Sequence, residues 1–598
     1  MHPPTRLLTI LGQDPTLRDR SGRIVTARVG VPNETLGAGP RGYRVHVVDY
    51  DASRGRLYTP LGPEHYGSVD APVDPFTQAD GEPVRTFTAR LLDDPRFHAQ
   101  HVYAITMRTL AHFERALGRR VSWSFGGHQL KIAPHAFAEA NAFYSPRDEA
   151  LLFGYFAGLR GTVFTCLSHD VVAHEAAHAL VDGLRPRYME PSSPDQAAFH
   201  EAIADVVALL SVFSIPEVVR HAVQVAIRRV RGPLLQLSKL TVRALKRGVL
   251  LGLGEEFGEA LEGVRGASLR RSVALEPSPA WLSAPEFQEE HRRGEILVAA
   301  ILHGFLGVYR DRLSTLGSDS RRQLPEARVV EEGADIAERM LTMCIRAIDY
   351  MPTTDIEFGD YLSALVTSDL EIRPDDSRYR MRAHLRAAFA AFGIEATSSY
   401  GGEVGRWEPP LSPARVPKDL AEPPSLTYAF VHREALERDR DEVFRFLWDN
   451  RRVLGLCEEA HTEVGAVRPC LRVDHDGFTL RETVADYVQI LTVRAEELEG
   501  LAVPGRDERV RKPEGLPGWR TVRLLGGGAL IFDEFGQLKH HIRNAVLNPA
   551  RQTRRLQCLF DAGYFDERRD LSEGFARLHA RALSPELPRA SREPTRWP

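Results

Sequence analysis

Apolar residues recur at helical spacing in two neighbouring stretches of the chain. The first stretch covers residues 171–181, and its periodicity predicts a buried helix that ends near Gly183. A loop rich in proline and serine follows at 191–195. The second helix is predicted from an apolar stripe made of Phe199, Ile203, Val206, Val207 and Leu210. Both helices carry ionisable residues in apolar surroundings, so they are the part of the chain most informative about chemistry.

Further helices are predicted on both sides of this pair. Asp94 suits an N-cap, Pro95 suits the first helical position and Gly118 suits the C-terminal end, so we expect one long helix that runs to Leu117. Three later amphipathic helices are also predicted. The first covers about 332–350, the second begins at a cap near Thr354 or Asp355, and the third ends near Phe392-Gly393.

The two ends of the chain have a different character. Residues 1–85 alternate short apolar runs with glycine and proline, which predicts a β-rich region. Residues 401–426 have the Pro/Gly-rich composition of a linker. Residues 427–598 predict a separate α+β domain with a helix at about 433–450 and a hairpin that follows the glycines at 526–528. This glycine run lacks the Gly-Lys-Ser/Thr of a phosphate loop, so we do not expect nucleotide binding.

The composition is that of a globular protein. The chain has 598 residues, of which 43% are hydrophobic and 26% charged, with a net charge of −4. We therefore expect neither a nucleic-acid nor a membrane partner. No uninterrupted apolar run reaches the ~18 residues that span a bilayer, and the N-terminus lacks a signal-like apolar core. The five cysteines are scattered rather than grouped as metal ligands, which favours the reducing cytoplasm. The sequence does not indicate an oligomeric state.

The first predicted helix contains His174-Glu175-Ala176-Ala177-His178. Residues four apart lie on one face of a helix, one turn from each other, so both imidazoles can reach a single Zn²⁺ ion. Glu175 points to the flank, where it can hold the attacking water without binding the metal. Because so short a pattern also arises by chance, a buried helix with two structural histidines is the alternative.

The second predicted helix carries Glu201 and Asp205 one turn apart. A catalytic zinc has three protein ligands and one open position, and two histidines with a glutamate are one of the established sets. We therefore predict Glu201 as the third ligand. Asp205 is predicted to accept the free ring N–H of a zinc histidine and so fix its tautomer. The alternative, a solvated acidic face, fits poorly with so apolar a helix.

With these residues in view, the chain resembles a known family. His174-Glu175-x-x-His178 followed by Glu201-x-x-x-Asp205 is similar to the thermolysin-like zinc metallopeptidases, a branch of the gluzincins. Asn141-Ala142-Phe143-Tyr144 resembles the run that forms the substrate-pairing edge strand in that family, which implies that Asn141 and Ala142 bind substrate. An open strand edge offers N–H and C=O groups to an extended peptide. An ordinary hairpin turning at 145–148 is the alternative, and both can hold.

The resemblance covers roughly residues 86–400 and implies an α+β, thermolysin-like catalytic unit. Its α/β half (86–190) would hold the edge strand and the first zinc helix, and its helical half (191–400) would hold the third ligand. The acidic cluster that binds calcium in secreted members is not evident here, so Zn²⁺ is the cofactor we predict and calcium is not. The exopeptidase signature Gly-x-Met-Glu-Asn of other gluzincins is absent, which favours an endopeptidase.

The family also keeps a histidine that faces the zinc from a later helix. The nearest match is His291, at the start of a predicted helix, although the glycine that follows comes one residue early. His303 is the competing candidate, but its apolar neighbours suit a core histidine better. Tyr188, in the loop between the ligand helices, is a further candidate donor to the oxyanion.

The function that follows is zinc-dependent hydrolysis of peptide bonds in a peptide or protein substrate, with Glu175 as the general base. We find little room for a pro-segment before the catalytic region, so we expect activity to be restrained in another way. The alternative is a zinc-stabilised binding or scaffold protein, derived from a metallopeptidase, that has lost turnover. An intact Glu175 favours the enzyme, because a purely structural zinc needs no general base.

Overall fold

The computed structural model describes residues 5–158, 161–227, 234–252, 266–317, 323–412, 425–501 and 508–565. Helices and strands both occur throughout this part of the chain, which confirms the predicted α+β class. The helices are α1 (Val84–Asp93), α2 (Pro95–Leu117), α3 (His169–Leu184), α4 (Pro194–Phe213), α5 (Pro216–Ala226), α6 (Val242–Gly252), α7 (Gly266–Ala274), α8 (Glu290–Leu316), α9 (Glu326–Ala347), α10 (Phe358–Ile372), α11 (Met381–Ala391), α12 (Arg440–Asp449) and α13 (Pro549–Asp561).

The strands of the first two thirds of the chain are mostly short. They are β1 (Thr5–Leu11), β2 (Thr26–Pro32), β3 (Val45–Val47), β4 (Tyr50–Asp51), β5 (Arg56–Leu57), β6 (Leu130–Phe137), β7 (Ala142–Ser145), β8 (Ala150–Gly158), β9 (Gly161–Phe164), β10 (Leu234–Gln236), β11 (Gln323–Pro325), β12 (Ser399–Tyr400) and β13 (Glu403–Val404). The strands of the C-terminal region are longer: β14 (His461–Val473), β15 (Thr479–Arg494), β16 (Thr521–Phe532) and β17 (Leu538–Asn544).

A five-stranded sheet carries the strand predicted to bind substrate. Its order is β3-β6-β8-β7, with β9 paired to the far end of β8. The pairs β3–β6 and β6–β8 are parallel, whereas β7 and β9 run antiparallel to β8. In the pairing of β7 with β8, Ala142 lies opposite Phe153 and Tyr144 lies opposite Leu151. The antiparallel strand β7 therefore ends the strand order, and it packs beside α3.

The N-terminal region contains short strands, but it is not a unit of its own. β1 and β2 form an antiparallel hairpin that packs on α2. β3, from the same region, joins the five-stranded sheet through its parallel pairing with β6. The predicted boundary at residue 85 therefore cuts through a common core.

The long helix α2 has the ends that the sequence predicts. Asp94 accepts a hydrogen bond from the amide of Arg96 (2.9 Å), and Pro95 takes the first helical position. Gly118 has φ +67°, and its N–H donates to the carbonyl of Glu114. A Cβ on Gly118 would lie 2.5 Å from the carbonyl of Leu471, so this glycine also lets the end of α2 meet β14 closely.

The two helices predicted to hold a metal lie at the centre of the protein. α3 runs through Gly183 to Leu184, so the predicted stop is wrong by one to two residues. A Cβ on Gly183 would lie 2.1 Å from the carbonyl oxygen of Ser122, and the glycine thus permits close packing rather than ending the helix. α4 is apolar and long enough to cross a membrane, but 94% of that window is buried inside the protein. It packs against α3, α8 and α9 as the central core helix.

The later helices follow the predicted pattern with shifted ends. α9 begins at Glu326, a few residues before the predicted start. α10 is capped by Glu357, whose side chain forms a capping box with Asp360, and not by Thr354 or Asp355. α11 ends at Ala391, followed by Gly393 with φ +76°, close to the predicted end.

The C-terminal region forms an antiparallel sheet in the order β14-β15-β16-β17, with α12 packed on β14. The hairpin of β16 and β17 is present as predicted, and Gly536 in its turn has φ +73°. The predicted helix at 433–450 begins later, at Arg440. Two apolar clusters of this region's own side chains lie beside the sheet.

The prediction that this domain is separate needs correction, because buried contacts join its sheet to residues of the first 400 positions. Thr353 donates to the carbonyl of Tyr487 (2.8 Å), and a Cβ on Gly527 would lie 2.6 Å from the Thr353 hydroxyl oxygen. Arg185, which follows α3, forms a buried ion pair with Asp486 of β15. The glycine run at 526–528 thus allows a loop of the helical half to lie against the sheet.

The predicted linker is also more ordered than its composition suggests. Trp407, within 401–426, is 5% exposed, and its indole N–H donates to the carbonyl of Tyr350 (3.0 Å). The proline-rich stretch 413–424 lies outside the described residues. The chain therefore packs on the helical half for about a dozen residues beyond the predicted boundary at 400.

Candidate metal centre

Three predicted ligands converge between α3 and α4. The Nε2 atoms of His174 and His178 are 2.9 Å apart, and each lies 3.7 Å from an oxygen of Glu201. The three ligand atoms lie within 4.8 Å of one another, and all three residues are buried. Two imidazoles and a carboxylate that meet in this way can hold a metal ion.

Asp205 fixes the orientation of the first histidine. Its Oδ1 lies 2.8 Å from Nδ1 of His174. Because an ionised carboxylate only accepts, Nδ1 carries the hydrogen and Nε2 is the nitrogen that faces the other ligands. Burial would lower the pKa of His174, but the bond to Asp205 and the nearby carboxylates Glu175 and Glu201 outweigh burial and raise this pKa above its usual value. Asp205 thus lies where the sequence predicted it.

His200 is the corresponding hydrogen-bond partner of His178, and this role is not predicted from the sequence. The Nδ1 atoms of the two rings are 2.9 Å apart. Burial lowers the pKa of His200 to about 4, so the ring is neutral and can accept from the Nδ1–H of His178. Nε2 of His178 then carries no hydrogen and faces Nε2 of His174 and the carboxylate of Glu201. The available signal was the position of His200 directly before a predicted ligand.

Glu175 lies beside the metal group and contacts the edge strand. It is fully buried, and its Oε2 accepts a hydrogen bond from the backbone amide of Tyr144 in β7 (2.9 Å). The carbonyl of Asn141 accepts from Gly154 of β8 (2.8 Å), while the Asn141 side-chain oxygen accepts from the amide of Ala142 (2.9 Å). The strand predicted to bind substrate and the predicted base are therefore in direct contact, whereas substrate binding by Asn141 and Ala142 stays a prediction.

His291, on α8, also lies close to Glu201. Its Nε2 is 3.6 Å from Oε2 of Glu201, and its Nδ1 is 2.6 Å from Oε1 of Glu289. Burial would raise the pKa of Glu289, but the hydrogen bond and charge of His291 lower it overall. A Cβ on Gly294 would lie 3.0 Å from the carbonyl of Ala198, so this glycine helps α8 approach α4. At 21% exposed, the His291 side chain is more accessible than those of the metal group.

The other two candidate donors lie elsewhere. Tyr188 is 1% exposed, and its hydroxyl donates to the carbonyl of Pro352 (2.7 Å). We therefore correct its assignment as an oxyanion donor, because its proton is committed to a structural bond. His303 follows His291 by twelve residues on α8, which is ~18 Å along a helix. Its ring contacts Lys246 and Phe392 rather than the metal group.

The structure also brings together a group that sequence spacing does not predict. His98, His135 and Cys166 are buried, and their ligand atoms lie within 4.8 Å of one another. Cys166 therefore belongs to a group that could hold a metal ion, although the five cysteines are scattered along the sequence. These residues lie far apart in the sequence, on separate elements, so no local motif could indicate them.

Comparisons with known proteins add no family assignment. No family model matches the chain, and no match is found among the curated proteins.

Proposed function

We propose that the protein is a zinc-dependent endopeptidase with a thermolysin-like catalytic unit. The observation that carries the proposal is the convergence of His174, His178 and Glu201 on one point, with Glu175 placed beside this group but outside it. A set of two imidazoles and one carboxylate suits a catalytic zinc with an open coordination position. The partners of the two histidines, Asp205 and His200, are the outer hydrogen bonds expected around zinc ligands.

The arrangement of elements supports the same proposal. The edge strand β7 and helix α3 belong to the α/β half, whereas α4 and α8, with Glu201 and His291, belong to the helical half. This division of the ligands between α3 and α4 supports the thermolysin-like unit that we propose. A cytoplasmic location and the lack of a nucleic-acid or membrane partner remain part of the proposal.

Glu175 is the proposed general base. Bound zinc would polarise the scissile carbonyl and acidify a water molecule. Glu175 then takes the proton from the attacking water and passes it to the leaving nitrogen. The amide of Tyr144 donates to one oxygen of Glu175, and this bond holds the carboxylate in place. The other oxygen would then accept the proton from water and donate it to the leaving nitrogen.

The pair of His291 and Glu289 is the proposed oxyanion donor. A neutral imidazole that donates from Nδ1 to Glu289 has only a lone pair at Nε2. In its imidazolium form, His291 would donate from Nδ1 to Glu289 and from Nε2 to the negative charge that develops on the substrate. Glu289 would act through His291 and would not touch the substrate.

The proposed substrate is an extended peptide that lies along β7. A strand at the end of a sheet can pair with a peptide through backbone hydrogen bonds. Tyr144 and Glu175 are in contact, so a peptide at this edge would present its backbone next to the general base. We assign Asn141 and Ala142 to this substrate contact.

Metal analysis combined with mass spectrometry of cleaved peptide libraries tests the proposal. We expect zinc in the purified protein and cleavage inside peptides, with cleavage lost in the His174→Ala/His178→Ala variant. The matched control is His303→Ala, which removes a histidine far from the site and should cleave normally. Zinc in the metal group without cleavage of any peptide would instead favour the zinc-stabilised binding protein.

A further inference from the structure

The second buried group, His98, His135 and Cys166, joins three separate elements. His98 lies in the first turns of α2, His135 lies on β6, and Cys166 lies in the short turn at 165–167 that leads into α3. Nδ1 of His98 and Nε2 of His135 are 2.8 Å apart. The three side chains are between 0% and 2% exposed, so the group is closed to bulk solvent.

The outer nitrogens of the two rings show which atoms face inward. Nε2 of His98 lies 2.9 Å from the carbonyl oxygen of Leu92, and Nδ1 of His135 lies 2.9 Å from both oxygens of Asp49. A carbonyl only accepts, so His98 must donate from Nε2, and a carboxylate likewise favours a hydrogen on Nδ1 of His135. In neutral rings, the two inner nitrogens therefore face each other as lone pairs.

Two nitrogen lone pairs that are 2.8 Å apart repel each other unless a proton or a metal cation lies between or beside them. A shared proton would make a chain from Asp49 through His135 to His98, but it would give the thiol of Cys166 no role. A metal ion uses all three inner atoms. Carbonyl and carboxylate acceptors behind each imidazole are also the partners that metal-binding histidines ordinarily have.

The surroundings fit an enclosed site. The ring of Phe164 lies 4.9 Å from that of His98 and 5.1 Å from that of His135, measured between centroids, and Tyr58 lies 5.1 Å from His135. An aromatic shell of this kind limits access of water to the ligands.

We propose that His98, His135 and Cys166 bind a second metal ion, namely zinc, that joins the three elements on which they lie. A thiolate and two imidazoles are borderline-soft ligands that suit Zn²⁺ and are unsuitable for calcium or magnesium. The ion would tie α2, the five-stranded sheet and the turn before α3 to one point. That turn immediately precedes the helix that carries His174 and His178. The second ion would therefore fix the position of the N-terminal end of this helix. The proposal does not depend on peptidase activity.

Cobalt(II) substitution in the full-length protein distinguishes the two groups, because only the second contains a thiolate. The apoprotein is loaded with Co²⁺, and its near-ultraviolet absorption is recorded for thiolate-to-cobalt charge transfer. We expect the band in the wild type and at undiminished strength in His174→Ala/His178→Ala, which should retain about one equivalent of cobalt or zinc. A wild-type protein that binds cobalt without this band, or a double variant that binds no metal, would overturn the proposal.

Cysteine variants give a second, matched test. Cys166 and Cys344 are both fully buried, but only Cys166 belongs to the group. Cys166→Ala should lose the charge-transfer band and about one equivalent of metal, whereas Cys344→Ala should keep both. If Cys166→Ala does not fold, the spectra of the wild type and the double variant decide alone. Copper in place of zinc in the purified wild type would contradict the proposed ion.

Discussion

Asp205 offers a quantitative test of how the metal group is supported. Its Oδ1 lies 2.8 Å from Nδ1 of His174, and both side chains are largely buried. Removing such an outer partner typically weakens metal affinity ~10–100-fold, which corresponds to ~1.4–2.8 kcal/mol. We expect this loss for Asp205→Ala. Asp205→Asn keeps an acceptor oxygen of similar size but loses the charge, and because a charged hydrogen bond is about twice as strong, it should lose about half as much free energy.

Zinc competition with a chromophoric chelator, at one fixed pH, measures the effect. Because two groups are proposed to bind zinc, the titration should show two binding events. The affinity compared is that of the event that disappears in Glu201→Ala, since this variant removes a direct ligand of the first group. The expected order of affinities is wild type, Asp205→Asn, Asp205→Ala and then Glu201→Ala. Wild-type affinity in Asp205→Ala would refute the reasoning, because the hydrogen bond would then contribute nothing to metal binding.

Three further predictions concern the oxyanion donor, the domain contact and acid stability. His291→Ala should leave zinc content unchanged and lower kcat ~10²–10³-fold in peptide cleavage, because one donor to the oxyanion is lost. Asp486→Ala should lower the free energy of unfolding by ~3–5 kcal/mol in denaturant titration, because Arg185 and Arg468 are left without their shared buried carboxylate. Burial would raise the pKa of Glu371, but His540 and Lys539 lower it to about 2 from 4.5, so its contribution to stability is present above pH 4.5 and lost as pH falls toward about 2.

Each of these has a matched control. His303→Ala lies on the same helix as His291 and should keep kcat; a loss equal to that of His291→Ala would remove the special role of His291. Asp476 also pairs with an arginine but is 51% exposed, so Asp476→Ala should cost less than ~1 kcal/mol, and an equal cost in Asp486→Ala would contradict a buried pair. Glu371→Gln should flatten the loss of stability between pH 4.5 and 3 in denaturant titrations, and an unchanged slope would exclude Glu371 as its source.

The sequence predicts best what depends on local spacing. His174 and His178 are one turn apart on a single helix, and Glu201 and Asp205 are one turn apart on the next, so helix geometry alone places each pair on one face. The ends of α2 were predictable for the same reason, since Asp94, Pro95 and Gly118 act on their own turn. The β16–β17 hairpin likewise depends on neighbouring residues.

What the sequence could not predict depends on contacts between distant segments. His98, His135 and Cys166 meet only because α2, β6 and the turn before α3 pack together. Gly183 and Gly527 resemble helix-ending or loop glycines in sequence, but each provides room for a backbone or side chain from elsewhere in the chain. The C-terminal domain appeared separate because its buried ion pairs, such as Arg185 with Asp486, join residues about 300 positions apart.

The most direct test of the central claim compares the wild type with Glu175→Gln in zinc content and in the rate of peptide cleavage. Glu175 lies beside the metal group but outside it, and a general base contributes ~10²–10⁴-fold or more to the rate. We therefore predict that Glu175→Gln keeps the zinc content of the wild type and loses at least that factor in kcat. A variant that cleaves as fast as the wild type, or that loses the zinc held by His174, His178 and Glu201, would contradict the account.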